Sequence, residues 1–220
     1  MVLPAPVSTH RVLMTGFDPF AGDTLNPSWL AVQALHGREV AGHRIVAAQL
    51  PTVFDKSTEV LHGLLATHQP SLVLCVGQAG GRAALSLERV AININDARIA
   101  DNAGAQPVDK AVAAEGPAAY FSTLPVKAMM LAIRQEGVAA EVSQTAGTFV
   151  CNHVFYGLMH ALAGMPGLKG VRGGFIHVPW LPSQGLPAMP LQDMVRGLQV
   201  AVACALRTER DAGVSAGTEH

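Results

Sequence analysis

Two residues of types that act together in nucleophilic catalysis lie far apart in this 220-residue chain: Cys151 and His177. A cysteine thiol attacks a carbonyl carbon when a histidine accepts its proton. Cys151 lies in GTFVCNHVFYGLMHAL, where apolar residues at helical spacing predict a helix whose first turn contains the cysteine. The unpaired N–H groups and the positive end of the helix dipole there favour a thiolate and can stabilise an oxyanion.

A buried structural thiol is the competing interpretation of Cys151. Free cysteines are among the most often buried residues, and the neighbours of Cys151 are mostly apolar. On this segment alone the buried thiol is favoured, so other parts of the chain must supply the evidence for a base and an acid.

His177 is the better of several candidate bases. It lies in GGFIHVPWLP, near the end of an apolar strand that Pro179 interrupts, and open α/β sheets place functional residues at such strand ends. The alternative is a core histidine. His153 and His160 are weaker candidates, because position 153 of a helix points away from position 151 and a spacing of seven marks a helix face rather than a zinc site. We expect no metal ion and no cofactor.

Glu88 stands in the apolar segment LERVAIN, where a carboxylate is costly to bury unless a partner pairs with it. Arg89, Arg98 or a histidine are the candidate partners, and a structural ion pair is the alternative to a catalytic role. The preceding loop, GQAGGR (77–82), matches neither phosphate-binding glycine pattern. Its glycines are therefore expected to permit a tight turn or the close approach of a ligand.

Two aromatic rings stand in FDPF (17–20), the loop after the first predicted strand. Such rings often cap a hydrophobic core. A loop at a strand end is also where ligand pockets form, and Phe17 and Phe20 would supply a flat, apolar slot.

Alternating apolar runs and helical patterns predict the elements that position these residues. Strands are expected at 11–16, 43–50, 71–77, 87–99, 138–144 and 173–182, and further helices from Pro27 with Asn26 as N-cap, over 54–68, over 126–137 and over 190–207. This rhythm predicts one domain over residues 1–220, with flexible ends at about 1–10 and 211–220. Its expected fold is a three-layer α/β/α sandwich around a mostly parallel, mixed sheet.

Composition excludes several classes of function. Half of the residues are hydrophobic, 14% are charged and the formal net charge is −1, so neither nucleic acid nor a membrane surface is an expected partner. No segment has the pattern of a signal peptide or a membrane span. Three widely spaced cysteines indicate reduced thiols, and we expect a cytoplasmic protein.

Four separated segments together resemble the pyroglutamyl peptidase I family of cysteine peptidases: TGFDPFAGDTLNPSW, GQAGGRAALSLERVAININDARIADN, GTFVCNHVFYGLMH and GFIHVPWLPSQ. The resemblance implies an α/β/α enzyme that removes an N-terminal pyroglutamate from peptides, and it reverses the preference for a buried Cys151. Trp180 and Ser183 replace a tyrosine and an acidic residue expected at these positions, which concerns pocket shape or assembly.

Matching positions imply Cys151 as nucleophile, His177 as general base and acid, and Glu88 as the residue that orients the imidazole, with an acyl-enzyme intermediate. Arg98 and the Cys151 N–H are assigned to the oxyanion site. The expected substrate-binding residues are Phe17, Phe20, Asn26, Gln78, Phe149 and Val150. Small pyroglutamyl peptides are the expected substrates, and a dimer or tetramer of this chain is the expected assembly.

Two other functions are compatible with the same sequence. One is a hydrolase or phosphorylase for another small cyclic or nucleoside-like substrate, with phosphate in the GQAGGR loop; the absence of a lysine from that loop argues against it. The other is a binding protein that keeps the lactam pocket without cutting, which the intact set of Glu88, Cys151 and His177 argues against.

Overall fold

A seven-stranded sheet forms the centre of the structure, a computed structural model that describes residues 10–217. The strands, in chain order, are β1 (Arg11–Phe17), β2 (Glu39–Val40), β3 (His43–Leu50), β4 (Leu72–Gln78), β5 (Leu85–Glu88), β6 (Val90–Ile92), β7 (Ala119–Phe121), β8 (Ala140–Ser143) and β9 (Arg172–Val178). The helices of this part of the chain are α1 (Pro27–Gln33), α2 (Lys56–His68), α3 (Val126–Gln135), α4 (Val150–Gly164) and α5 (Leu191–Arg207). β6 and β7 form a separate two-stranded sheet.

The strands of the large sheet lie in the order β2-β3-β1-β4-β9-β5-β8. The pairs β1–β3, β1–β4, β4–β9 and β5–β8 are parallel, whereas β2 and β5 run antiparallel to β3 and β9. The predicted mostly parallel, mixed sheet is confirmed. The reversed direction of β5 matters for the site, because it brings the last residue of β5 alongside β9.

Helices cover both faces of the sheet, so the predicted three-layer sandwich is confirmed. α1, α3 and α5 contribute to one buried apolar cluster, and α2 and α4 contribute to the other. β1 shows why its sequence is apolar at successive positions: Val12 and Met14 belong to the first cluster and Leu13 to the second. A central strand with both faces buried needs apolar side chains throughout.

The segment 87–99 is the main difference from the predicted elements, because it is not one strand. β5 ends at Glu88, and β6 begins at Val90 in the other sheet. Beyond the break, the Asn152 side chain of α4 accepts a hydrogen bond from the Ile92 N–H at 3.0 Å and donates to the Ile92 and Ile94 carbonyls at 2.9 and 3.0 Å. An amide side chain thus satisfies polar backbone groups that a sheet partner would otherwise bind.

The C-terminal segment expected to be flexible makes specific contacts up to residue 217. The Asp211 carboxylate accepts hydrogen bonds from the Lys127 and Ala128 N–H groups, in the first turn of α3, at 3.2 and 2.8 Å. The Ala216 carbonyl accepts one from Arg89 Nη2 at 3.0 Å. The other residues expected to be flexible, 1–9 and 218–220, lie outside the described part. No helix within residues 10–217 is long and apolar enough to cross a membrane.

Candidate active site

Glu88 and His177 form a buried hydrogen-bonded pair. Ser86 of β5 lies opposite His177 of β9, so Glu88, two residues further along β5, is the diagonal neighbour of His177 on the same face. His177 Nδ1 lies 2.7 Å from Glu88 Oε1. Because a carboxylate only accepts hydrogen bonds, Nδ1 carries the proton and Nε2 is left for another partner.

Cys151 reaches the same face of the sheet from α4 because Gly77 has no side chain. Gly77 of β4 pairs with His177 of β9, and a Cβ built on Gly77 would lie 2.8 Å from Cys151 Sγ. The thiol therefore occupies the place of the missing side chain, beside a strand roughly 4.8 Å away that carries the imidazole. Three distant segments of the chain thus bring the Cys151 thiol, the His177 imidazole and the Glu88 carboxylate to one part of the sheet.

Burial acts against the thiolate that the helix start is expected to favour at Cys151. Cys151 is the second residue of α4, in the first turn as the sequence predicts, and the N-cap residue Phe149 provides no capping side chain. Burial nevertheless raises the pKa of Cys151 to about 12; the Glu88 carboxylate raises this pKa further and Arg82 opposes both effects. Because loss of solvent disfavours the thiolate, the thiol needs a base to give up its proton.

A pocket of about 150 Å³ opens beside the thiol. It is lined by Phe17, Phe20, Asn26, Thr52, Gln78, Phe149 and Cys151. Phe17 is buried and also packs in the core, so it serves both purposes considered for the FDPF rings. Phe20 is partly exposed, and its ring centroid lies 5.2 Å from that of Phe149. The polar groups of Asn26, Thr52 and Gln78 make the pocket suitable for a small ligand with both flat faces and polar atoms.

Asn26 is the N-cap of α1, and it also binds the FDPF loop of the pocket to the start of this helix. Its Oδ1 accepts hydrogen bonds from the Ser28 N–H at 3.0 Å and the Ser28 hydroxyl at 2.7 Å. Its Nδ2 donates to the Asp18 carbonyl at 2.9 Å, inside FDPF. Pro27 occupies the first helical position, so both parts of the predicted helix start are confirmed.

Comparisons with known proteins place this chain in a family. The sequence model of the pyroglutamyl peptidase family matches residues 10–208. A pyrrolidone-carboxylate peptidase of Cupriavidus taiwanensis is 58% identical over 214 residues, which cover 95% of this chain and 99% of that protein. The chain belongs to the pyroglutamyl peptidase family.

Two solved structures of the pyroglutamyl peptidase family share the fold as well. Pyroglutamyl peptidase I of Bacillus amyloliquefaciens matches with a TM-score of 0.89 at 49% identity, over 92% of this chain and 100% of that one. The pyrrolidone carboxyl peptidase of Thermococcus litoralis matches with a TM-score of 0.86 at 33% identity, over 90% and 93% of the two chains. The resemblance indicated by the four sequence segments is confirmed, and membership of this family makes the chain a peptidase.

Two residues assigned from the family resemblance lie outside the pocket wall. Arg98 is exposed, and its side chain makes no hydrogen bond or ion pair within residues 10–217. Its loop is nonetheless tied to the turn before Cys151, since Asp96 and Thr148 share two hydrogen bonds of 2.9 and 2.7 Å. Val150 is fully buried in the core, so only its backbone N–H is available at the helix start.

Arg82 and Thr52 are site residues that sequence reasoning missed. Arg82 Nη1 donates to Glu88 Oε1 at 2.7 Å, so the partner of this carboxylate is neither Arg89 nor Arg98. Thr52 donates its N–H and its hydroxyl to Asp18 Oδ1, each at 2.7 Å. Both residues follow predicted strands, at the carboxyl edge of the sheet where ligands usually bind. That position in the sequence could have indicated them as site residues.

Gly80 in the GQAGGR loop makes room for a side chain rather than for a phosphate group. A Cβ on Gly80 would lie 2.3 Å from the ring of Trp180, and Gly81 has a φ of +83°. The expected close approach is therefore made by Trp180, one of the two positions at which this chain departs from the pattern expected for the pyroglutamyl peptidase family. The expected tight turn is present at Gly81.

The other candidate histidines have partners away from the thiol. His153 Nε2 accepts a hydrogen bond from the Asp55 N–H at 3.1 Å, and His160 Nδ1 lies 2.9 Å from the Tyr120 hydroxyl. A larger groove of about 450 Å³, next to α3, is lined by no cysteine or histidine. Among residues 10–217 no three His, Cys, Asp or Glu side chains are grouped as ligands of a metal ion would be.

Proposed function

We propose that this chain hydrolyses the bond that follows an N-terminal pyroglutamate in peptides, with Cys151, His177 and Glu88 as the catalytic triad and an acyl-enzyme as intermediate. Membership of the pyroglutamyl peptidase family supports the activity. The observation that carries the mechanism is the pairing of Glu88 with His177 on the strand beside Gly77, above which the Cys151 thiol lies.

The substrate fits the chemistry of the pocket. Pyroglutamate is a flat, neutral lactam without a free α-amine, so its binding site needs ring faces and amide hydrogen bonds rather than a carboxylate for an ammonium group. Phe17, Phe20 and Phe149 supply ring faces, and Asn26 and Gln78 supply amide groups.

Acylation begins with proton transfer. Because burial raises the pKa of Cys151 to about 12, the thiol loses its proton only as His177 Nε2 accepts it, while Glu88 stabilises the imidazolium through Nδ1. Sulfur then attacks the carbonyl carbon between the lactam and the next residue. His177 gives the proton to the departing amine, and a water molecule deprotonated by His177 releases pyroglutamate from the sulfur.

Backbone N–H groups at the start of α4, including that of Cys151, are the proposed oxyanion donors. The first turn of a helix has N–H groups without intrahelical acceptors, and Phe149 does not cap them. One such donor contributes about 3 to 4 kcal/mol to the stability of the transition state. A contribution of Arg98 to oxyanion binding stays a prediction, since its exposed side chain would have to move to reach the pocket.

The test is turnover of a pyroglutamyl-coumarin amide by the purified protein. Wild-type protein is expected to release the fluorophore, and Cys151→Ala is expected to lose the activity. Cys204→Ala is the matched control, because Cys204 is a partly exposed cysteine on α5, on the other face of the sheet. Activity retained by Cys151→Ala would refute the assigned nucleophile, and no release by the wild-type protein would refute the function.

Assembly into a dimer or tetramer stays a proposal alongside this function. Val108 and Ile99, on the loop between β6 and β7, are 63% and 54% exposed and are candidate contact residues. Analytical ultracentrifugation of the wild-type chain measures the mass of the assembly directly. A monomer at micromolar concentration would refute the proposal.

A further inference from the structure

Glu88 has one partner with a permanent charge. The carboxylate is fully buried, and both of its partners, Arg82 Nη1 and His177 Nδ1, bind Oε1 at 2.7 Å, while Oε2 has no hydrogen-bond partner among the described residues. A buried carboxylate without a compensating charge is costly and tends to take up a proton. Of the two partners only the guanidinium carries a permanent charge, so it is the lasting compensation for the carboxylate.

Arg82 is itself held in place by the segment that leads to Cys151. Its Nη2 donates to the Thr145 carbonyl at 3.1 Å, and its Nη1 lies 3.4 Å from Ser143 Oγ at the end of β8. The Ser143 hydroxyl donates to the same Thr145 carbonyl at 3.1 Å. One planar guanidinium therefore connects the acid of the proposed triad to the turn that precedes the nucleophile.

We infer that Arg82 is a positioning residue for the proposed reaction: its charge offsets that of the buried Glu88 carboxylate and holds this carboxylate towards His177 Nδ1, and it fixes that pair relative to the turn that carries Cys151. This inference rests on the proposed function. Arg82 touches neither the thiol nor the pocket wall, and it acts through Glu88. Its charge also lowers the pKa of Cys151, against the effects of burial and of Glu88.

The first test compares Arg82→Gln with Arg89→Gln across a range of pH. Removal of Arg82 should lower kcat roughly 10- to 100-fold, with KM within about twofold of wild type, since general-base catalysis is weakened and the lactam pocket is untouched. The acid limb of kcat/KM should move to higher pH, because a buried carboxylate without a permanent counter-charge disfavours its ionised form. Arg89→Gln removes a neighbouring arginine that binds the Ala216 carbonyl, and it should match the wild type.

A readout that needs no turnover separates this inference from the proposed function. The His177 Nδ1 proton, shared with a buried carboxylate, should give a low-field proton NMR signal in the wild type and in Arg89→Gln. Arg82→Gln should lose it. If the wild type fails to cleave the pyroglutamyl substrate, the proposed function fails, but the signal and its loss in Arg82→Gln still decide the role of Arg82.

A double-mutant cycle covers the case in which Arg82→Gln does not fold. Arg82→Gln combined with Glu88→Gln leaves no buried carboxylate without a partner, so this protein is expected to fold. If Arg82 acts through Glu88, the double variant should have the kcat of Glu88→Gln alone. A further tenfold fall in the double variant would overturn the inference, as would a wild-type kcat, acid limb and low-field signal in Arg82→Gln.

Discussion

At the scale of single residues, the position of the Cys151 thiol depends on the absence of a side chain at Gly77. The nearest atoms to a Cβ built on Gly77 are Cys151 Sγ and the ring of Phe175, both at 2.8 Å. A glycine is needed here for space and not for an unusual φ angle, since Gly77 is not among the glycines with positive φ.

Gly77→Ala tests this requirement. The added methyl group must displace the thiol, and a shift of about 1 Å in a reacting group costs roughly 10²-fold in rate, so we expect kcat to fall by about that factor. Overpacking should lower the free energy of unfolding by about 1 to 3 kcal/mol. The measurements are kcat with the coumarin amide and a urea unfolding curve.

Gly63→Ala is the matched control, because a Cβ on this exposed glycine of α2 meets no atom within 4 Å. It should keep the wild-type kcat and gain up to about 1 kcal/mol of stability from better helix propensity. Full activity in Gly77→Ala would show that the thiol has room to move.

Alkylation distinguishes Cys151 from Cys75. Burial raises the pKa values of Cys75 and Cys151 alike, each to about 12, so access and the neighbouring base must decide which one reacts. Cys151 is partly exposed beside His177, whereas Cys75 is fully buried. Iodoacetamide should therefore label Cys151 and spare Cys75 in the folded protein, as peptide mass spectrometry would detect.

The same labelling reports on the proposed base. Because the raised pKa leaves the Cys151 thiol protonated at neutral pH, labelling of His177→Gln should be slower than labelling of the wild type, and the deficit should shrink as the pH rises towards the pKa of the thiol. Equal rates for both proteins at neutral pH would contradict a role of His177 as proton acceptor.

At the scale of elements, the start of α1 and the pocket loop share one side chain. Asn26→Ala removes the N-cap and the shorter of two hydrogen bonds to the Asp18 carbonyl, which keeps the Thr52 hydroxyl at 3.3 Å. Loss of the cap should cost about 1 kcal/mol of the free energy of unfolding. Release of the FDPF loop should raise KM about tenfold, which steady-state kinetics would measure.

Asn26→Ser distinguishes these two effects. A serine still caps the helix but does not reach the Asp18 carbonyl. This variant should recover most of the lost stability and retain the raised KM. If KM were normal in both variants, the anchor between Asn26 and the loop would have no part in substrate binding.

At the scale of the whole molecule, a buried neutral histidine links stability to pH. His153 Nε2 accepts from the Asp55 N–H, and its Nδ1 lies 3.1 Å from Asn95 Oδ1, an arrangement that requires the neutral ring. Burial lowers the pKa of His153 below its ordinary value of 6.5, and Asp55 opposes this only in part. The unfolded chain therefore binds a proton at a higher pH than the folded one.

This linkage predicts the sign of the pH dependence. The stabilisation that comes from the buried neutral His153 is complete above pH 6.5, and it is lost as the pH falls from there through the lowered pKa of the folded state. The free energy of unfolding changes by at most about 1.4 kcal/mol per pH unit in this range. Urea unfolding at pH 7 and pH 5 should show a smaller loss for His153→Gln than for wild type. His62→Gln, on the exposed face of α2, should behave like the wild type.

Local pattern was enough to determine most of the helices and the long strands of the large sheet. The apolar run of β1, the Asn26–Pro27 helix start and the end of β9 before Pro179 depend on residues a few positions apart, so the chain itself predicts them. The four segments that resemble the pyroglutamyl peptidase family are also read from the sequence alone. They indicate Cys151, His177 and Glu88 before any contact between these residues is known.

Only the tertiary structure decided how those groups are paired and charged. Arg82 rather than Arg89 or Arg98 binds Glu88, because β5 runs antiparallel to β9 and the GQAGGR loop folds back over it. Burial raises the pKa of the Cys151 thiol, an effect that the position of this residue at a helix start does not predict. Both outcomes depend on distances and solvent exposure among residues far apart in the chain, and periodicity in the sequence carries no information about either quantity.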